Sequence, residues 1–120
     1  MQLEGLWNVS FDEAVCKEGA GAGVWMQLPD GEVLSYSYKF AYECTNNEAE
    51  YEALMLAIQI LRDFQVKKVL IHGDSELVIK QLQGEYQARY LRMRSYRNAV
   101  LELVENFDQC DFSLIRRLQN

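Results

Sequence analysis

The amino-acid sequence predicts an α/β fold, in which one mixed sheet carries several packed helices. Its first 42 residues alternate largely between apolar and polar side chains, the pattern of half-buried strands. Two later apolar runs are short enough to be buried strands, and segments with helical periodicity separate them. At 120 residues, of which 49% are hydrophobic, the chain suits one domain with one core, spanning residues 1–120.

The first three predicted strands form an antiparallel meander. The segment GLWNVSF at 5–11 alternates, with Trp7, Val9 and Phe11 on one face, and VLSYSYKFAY at 33–42 alternates again with many aromatic side chains. Between them, the glycine-rich strand GAGAGVWMQL at 19–28 indicates that another backbone approaches closely. The sequence Pro29-Asp30-Gly31 predicts the turn that follows, because proline fixes φ and glycine accepts positive φ.

Helices and strands alternate in the second part of the chain. In order, the sequence predicts a helix, a buried strand, two further helices and a last short strand, which cover 46–64, 67–74, 75–83, about 88–107 and 110–115. Strands joined through helices run parallel, by right-handed crossovers. The predicted order is therefore βββ-α-β-α-α-β in a mixed sheet.

Composition and charge argue against several classes of protein. No apolar run reaches the length of about 18 residues that spans a membrane, and the first residues, MQLEGLWNVSF, do not resemble a signal peptide. The three widely spaced cysteines indicate free thiols in a reducing compartment, so an intracellular location, in the cytoplasm or nucleus, is expected. The net charge of −6 argues against a broad basic face for nucleic acid, although bound divalent cations reverse the sign locally.

The start of the long helix, TNNEAEYEAL at 45–54, contains three glutamates with different predicted roles. Thr45 and Glu48 form the pattern of a capping box, in which each side chain bonds the backbone amide of the other residue. Glu52 falls on the outer side of the helix, where a solvated charge has no energetic cost. Glu48 is therefore predicted to be structural and Glu52 to be solvated.

Glu50 lies on the apolar face of that helix. At about 100° per residue it falls in line with Leu54, Ala57 and Leu61, so its carboxylate is predicted to point toward the sheet. A carboxylate in a core is unfavourable unless it is paired or bound to a metal. The alternative is a partly exposed helix start, where Glu50 only interacts with the helix dipole. This stretch alone leaves both interpretations open.

Two aspartates follow predicted strands. Asp12 ends the first strand in FDEA, and Asp74 ends the fourth in HGDS; taken singly, Asp12 is explained by a turn, and a helix N-cap is the better explanation of Asp74. If the first and fourth strands are neighbours, both meet at the carboxyl edge of the sheet, within reach of Glu50. Three converging carboxylates cannot all stay ionised at close range without cations, and hard oxygen ligands select Mg²⁺ or Mn²⁺. His72, the only histidine, is predicted to be a strand-face residue.

Four stretches occur in an order that resembles the ribonuclease H family, particularly the branch found in retroelement polyproteins and related small cellular proteins. They are FDEAVCKEGAGAGV, TNNEAEYEAL, HGDSELVIKQLQGEY and the tail RRLQN, and together they cover nearly the whole chain. The resemblance implies a five-stranded mixed sheet in the order 3-2-1-4-5, which places the first strand beside the fourth. It also implies metal-dependent endonucleolytic hydrolysis of the RNA strand of RNA–DNA hybrids, with the hybrid and a reverse transcriptase domain of the same polyprotein as partners, and no membrane.

The resemblance also implies roles for individual residues. The catalytic acids of the family fall on Asp12, Glu50 and Asp74. They imply two bound ions, Mg²⁺ or Mn²⁺, that share the first aspartate. The residues that read the minor groove, where a 2′-hydroxyl distinguishes RNA from DNA, fall on Thr45, Asn46 and Asn47. For Asn46, helix-start capping and turn formation are an equally good explanation.

One basic cluster, ARYLRMRSYR at 88–97, falls where some members of the family carry a region that grips the substrate. It contains Arg89, Arg92, Arg94 and Arg97 and no acid. Phosphate contacts from these arginines make binding salt-dependent. A solvated helix face explains the cluster equally well.

Two departures from the family pattern bear on activity. Glu13 stands where the family has glycine, and its bulk and charge are expected to weaken substrate binding or change the metal preference. Arg117 and Asn120 match the start of the motif for a fourth carboxylate, and the sequence ends there, so this acid and a closing C-terminal helix are expected to be absent. The alternative function is therefore a degenerate or truncated domain that binds nucleic acid or a protein partner without cutting.

Overall fold

A mixed sheet with three helices packed against it is the architecture of the computed structural model, which describes residues 4–16, 19–40, 45–88 and 90–115. Its elements are β1 (Leu6–Cys16), β2 (Gly19–Gln27), β3 (Val33–Lys39), α1 (Asn46–Asp63), β4 (Lys68–Gly73), α2 (Glu76–Leu82), α3 (Leu91–Val104) and β5 (Gln109–Leu114). The strands are ordered β3-β2-β1-β4-β5. Both the order of elements along the chain and the order of strands in the sheet are as predicted.

The antiparallel meander extends further than the alternating sequence indicated. β1 pairs with β2 as far as Cys16, so Asp12 lies inside the strand, and the prediction that it ends the strand is wrong. The strand continues because the GAGAG segment of β2 supplies a paired edge opposite it. Small residues are needed in that segment, since a Cβ on Gly21 would lie 2.8 Å from the carbonyl oxygen of Tyr38 on β3.

The parallel half of the sheet lies on the other side of β1. β4 runs parallel to β1, and β5 runs parallel to β4. α3 is shorter than the predicted helix at 88–107, because the chain must leave it to start β5, where the Asp108 N–H donates to the Lys67 carbonyl at 2.8 Å. β1 is therefore the strand at which the antiparallel and parallel halves meet.

The core fills the space between the helices and one face of the sheet. Residues on alternate positions of β1, β2 and β4 are buried there, together with the apolar stripe of α1 that the sequence predicted. At the carboxyl end of β4 the packing is also close, since a Cβ on Gly73 would lie 2.8 Å from the ring of Phe11. This glycine lets β1 and β4 keep their spacing next to Asp74.

None of the helices formed by the described residues combines the length and hydropathy of a membrane-spanning segment. The predicted strand at 33–42 ends at Lys39, and residues 41–44 lie outside the described part of the chain. Residues 116–120, to which the expectation of a missing fourth carboxylate and closing helix refers, also lie outside it.

Candidate metal centre

Three carboxylates from three separate elements converge at one edge of the sheet. Asp12 on β1, Glu50 on α1 and Asp74 just after β4 each offer one oxygen, and these oxygens all lie within 4.8 Å of one another. Strand register brings the aspartates together: Ser10 pairs with His72 on the parallel neighbour, and each aspartate lies two residues further along its chain. The structure thus brings together the three acids that the sequence singled out.

Glu50 is the buried member of the cluster. Its side chain is 3% exposed, and its Oε2 atom has no hydrogen-bond partner among the described residues. Burial, assisted by neighbouring negative charges, raises the pKa of Glu50 to about 8. In descending order these charges are those of Asp74, Glu13 and Asp12, and a backbone hydrogen bond with residue 13 opposes them in part. The alternative of a partly exposed helix start is therefore wrong.

The chemistry of this cluster fits a divalent cation. A buried carboxylate oxygen without a partner is unfavourable, and so are acidic groups held close together without a counter-charge. A hard cation with oxygen ligands relieves both conditions at once. Within the described part of the chain the donor set consists of carboxylates, and His72 is not part of it; its Nε2 atom lies 3.2 Å from the Asn8 Oδ1 atom on the sheet. The prediction of His72 as a strand-face residue is thereby confirmed.

Asp74 is not used to cap the helix that follows it. α2 begins at Glu76, and its N-cap is Ser75, whose hydroxyl accepts from the Val78 N–H at 3.4 Å. The alternative of Asp74 as the N-cap is therefore wrong. Because the N-cap is Ser75, one residue later, Asp74 stays at the carboxyl end of β4, beside Asp12.

The other two glutamates of α1 have structural contacts. Glu48 completes the predicted capping box with Thr45, whose backbone N–H holds the pKa of Glu48 below its ordinary value. Glu48 also forms an ion pair with Arg92, Nη1 to Oε2 at 2.8 Å. Glu52 was predicted to be solvated, but it is half-buried and accepts a 2.7 Å hydrogen bond from the hydroxyl of Tyr96. α3 packs on that side of α1, which the periodicity of one helix does not reveal.

Hydrogen bonds between helices fix the orientation of α1 next to the cluster. Tyr51, the neighbour of Glu50, donates its hydroxyl to the Gln81 Oε1 atom of α2 at 2.6 Å, and both side chains are buried. Its ring also stacks on that of Tyr96, with centroids 5.5 Å apart. These contacts restrain the helix that carries Glu50 from two sides.

Of the predicted substrate-binding residues, Thr45, Asn47 and Arg92 line a cavity at the start of α1. Thr45 and Asn46 are exposed and Asn47 is half-buried at the start of α1. Arg92 is 74% exposed in spite of its ion pair, and the Arg94 Nε atom donates to the Ala88 carbonyl at 3.4 Å. Arg89 lies outside the described residues.

A cavity of about 750 Å³ opens between the start of α1, α2 and the segment that leads into α3. Thr45, Asn47 and Arg92 line it, together with Tyr86 and Tyr90. The sequence analysis did not select these two tyrosines, which are exposed to 42% and 77%. The sequence feature that could have identified them is the mixture of aromatic residues and arginines in QGEYQARYLRMR.

Comparison with known proteins gives consistent matches. A family model described as "Reverse transcriptase-like" matches residues 10–120. Ribonuclease HI of Halobacterium salinarum is 32% identical over 103 residues, which are 85% of this chain and 52% of the relative, so the chain spans about half the length of that relative.

Solved structures of similar proteins have the same fold. The crystal structure of RNase H1 from the halophilic archaeon Halobacterium salinarum NRC-1 superposes with a TM-score of 0.87 and 30% identity, covering 94% of this chain and 87% of that chain. The crystal structure of LC11-RNase H1 in complex with an RNA/DNA hybrid superposes with a TM-score of 0.82 and 27% identity, covering 92% and 86% respectively.

Proposed function

This chain belongs to the ribonuclease H family, and from that premise we propose that it hydrolyses the RNA strand of RNA–DNA hybrids, with divalent cations held by Asp12, Glu50 and Asp74. The observation that carries the proposal is the buried, unpartnered oxygen of Glu50 within a cluster of three carboxylates. The name of the Halobacterium relative and the hybrid bound to LC11-RNase H1 support the same reaction and substrate.

Each acid has a role that follows from its position. Glu50 is buried and lies on a restrained helix, so its carboxylate determines how far inside the protein the cation is held. Asp12 is exposed and lies on β1, where the two halves of the sheet meet. This position suits a ligand shared by two ions, Mg²⁺ or Mn²⁺. Asp74, just after β4, provides the third carboxylate of the cluster. The chemistry that such ions supply when bound is activation of water and neutralisation of charge on the phosphate and the leaving 3′ oxygen.

The start of α1 provides the surface that orients the hybrid. Asn46 and Asn47 lie a few residues before Glu50, so groove contacts there are coupled to the position of the cluster. Their amides, with the hydroxyl of Thr45, can bond to the 2′-hydroxyls and base edges of a minor groove. Arg92 and Arg94 add exposed positive charge for backbone phosphates.

The partner proposed from this surface is the hybrid itself, bound by residues 1–120 acting as one domain. A reverse transcriptase domain in the same polyprotein stays a prediction from the sequence. The presence or absence of cutting separates the proposal from the non-cutting alternative.

The test is cleavage of a hybrid with labelled RNA by the 120-residue chain in Mg²⁺ and in Mn²⁺. We expect cleavage of the RNA strand that Asp12→Asn reduces by at least about a hundredfold, because loss even of a group that only orients a metal ligand costs about 10–100-fold. Asp108→Asn is the matched control, since Asp108 is exposed and lies outside the cluster. A folded chain that binds the hybrid and leaves it intact would support the non-cutting alternative instead.

A further inference from the structure

Glu13 lies next to Asp12 on β1, on the strand face that looks toward the helices. Successive side chains of a strand alternate between its faces, and Val9 and Phe11 are buried on the core face. Glu13 is the next residue on that face, and its cross-strand partner Ala22 is buried there too. Its side chain is half-buried, as a position at the end of the core face requires.

Glu13 interacts with the buried member of the carboxylate cluster in two ways. Its backbone forms a hydrogen bond with Glu50, and its negative charge acts on Glu50 more strongly than that of Asp12 does. A fourth acidic side chain is therefore within electrostatic reach of the proposed cation site. It is not one of the three residues whose oxygens lie within 4.8 Å of one another, so its effect is exerted through charge.

The backbone at position 13 accommodates a side chain. The residue lies in a regular stretch of the ladder between β1 and β2, and Gln65 is the only non-glycine residue with positive φ in the described part of the chain. The family pattern that the sequence resembles has glycine at this position. The glutamate introduces a charge there without backbone strain.

We propose that Glu13 is a positioning charge of the metal centre, which raises its affinity for divalent cations beyond what Asp12, Glu50 and Asp74 provide. This inference rests on the proposed function, because it requires that the three carboxylates bind a cation. It adds a role in cation affinity to the expectation that the bulk and charge of Glu13 weaken substrate binding or change the metal preference. A nearby negative charge destabilises the metal-free cluster by repulsion and stabilises the loaded cluster by attraction.

The two opposite effects distinguish this role from a structural one. If Glu13 only supported the fold, its replacement would lower stability with and without metal. If it acts through charge, Glu13→Gln raises the melting temperature of the metal-free protein and lowers the affinity for the ion. Salt must also shrink the difference in affinity, because screening weakens interactions through space.

The experiment is calorimetric titration of the 120-residue chain with MnCl₂ and with MgCl₂, at low and at high NaCl. We expect Glu13→Gln to bind Mn²⁺ about tenfold more weakly than wild type at low salt, the order of magnitude for one unit charge near a divalent ion. The difference should fall to about twofold near 0.5 M NaCl. Glu32→Gln is the matched control, since Glu32 is an exposed glutamate beside the turn that joins β2 to β3.

The outcomes separate this inference from the proposed function. If wild type and Glu13→Gln bind the ions equally while Glu50→Gln does not bind them, the metal centre stands and the role of Glu13 is refuted. If wild type binds neither ion, both proposals fall. Glu13→Gly removes the same charge and must show the same weakening, so a poorly folded Glu13→Gln protein does not leave the question open.

Discussion

Among single residues, Glu50 has surroundings that differ sharply from water. Ala53 and Leu54, one turn further along α1, are apolar, its Oε2 atom has no partner among the described residues, and Asp12 and Asp74 lie close to it. Its protonation state must therefore differ between the folded and unfolded chain. That difference makes the stability of the metal-free protein depend on pH.

The metal-free protein should lose stability as the pH rises from about 4.5 to about 8. The pKa of Glu50 is raised from its ordinary value of 4.5 to about 8, so within this window the folded state holds a proton that the unfolded state has released. Stability is then full below the window and falls through it, by at most about 5 kcal/mol. Urea denaturation in EDTA between pH 5 and pH 9 measures this loss.

Glu50→Gln is the variant that isolates this effect, because glutamine has a similar shape and does not titrate. We expect its free energy of unfolding to vary much less over the same range, so that wild type and variant differ in slope. Parallel curves for the two proteins would show that another group causes the pH dependence.

At the scale of secondary-structure elements, the site depends on how closely β1 and β4 approach at their carboxyl ends. Gly73 permits this approach, because a Cβ there would lie 2.8 Å from the ring of Phe11 and 3.1 Å from Ile79. The ring is part of the core and has little room to move. A methyl group at this position would separate the two strands that carry Asp12 and Asp74.

Gly73→Ala should therefore affect stability and metal binding together. We expect a destabilisation of about 1–3 kcal/mol, the usual range for overpacking, and a several-fold loss of Mn²⁺ affinity. Gly23→Ala is the control, since a Cβ at Gly23 meets nothing within 4 Å. Denaturation and calorimetric titration of both variants measure the two effects. Metal affinity equal to wild type in a destabilised Gly73→Ala protein would contradict the proposed link between strand spacing and the cluster.

At the scale of the whole molecule, a net charge of −6 opposes the approach of any nucleic acid. If the chain binds a hybrid as proposed, we expect that binding to depend on local positive charge, from bound cations and from the arginines at the start of α3. The slope of log K against log[salt] measures how many phosphate contacts release counterions when the hybrid binds.

Arg94→Ala should weaken hybrid binding several-fold at about 50 mM salt and reduce the slope of log K against log[salt] by about 1. Fluorescence anisotropy in an Asp12→Asn background measures binding without cleavage. Arg62→Ala is the matched control, because Arg62 lies in the last turn of α1, far along the helix from Glu50. An unchanged slope in Arg94→Ala would favour the solvated-face interpretation of the arginine cluster.

The sequence predicted those features that depend on local patterns. The phase of one helix selected Glu50 from its neighbours, and capping chemistry identified Thr45. The misplacements have non-local causes. Asp12 lies within β1 because β2 pairs beyond it, and Glu52 is half-buried because α3 packs against α1. The length of a strand and the packing of a helix depend on other elements of the fold. The periodicity of a single segment gives no information about those elements.

The position of β1 between the two halves of the sheet has a consequence for how the molecule forms. Its antiparallel partner, β2, follows directly in the chain, whereas its pairing with β4 joins residues roughly sixty positions apart. Closing the longer loop has the higher entropy cost, so a refolding or newly synthesised chain is expected to complete the meander first. Asp12 is then in its strand before Asp74 arrives, and no intermediate with only the meander contains the cluster. Divalent cations would therefore stabilise the finished fold selectively and leave its precursors unaffected.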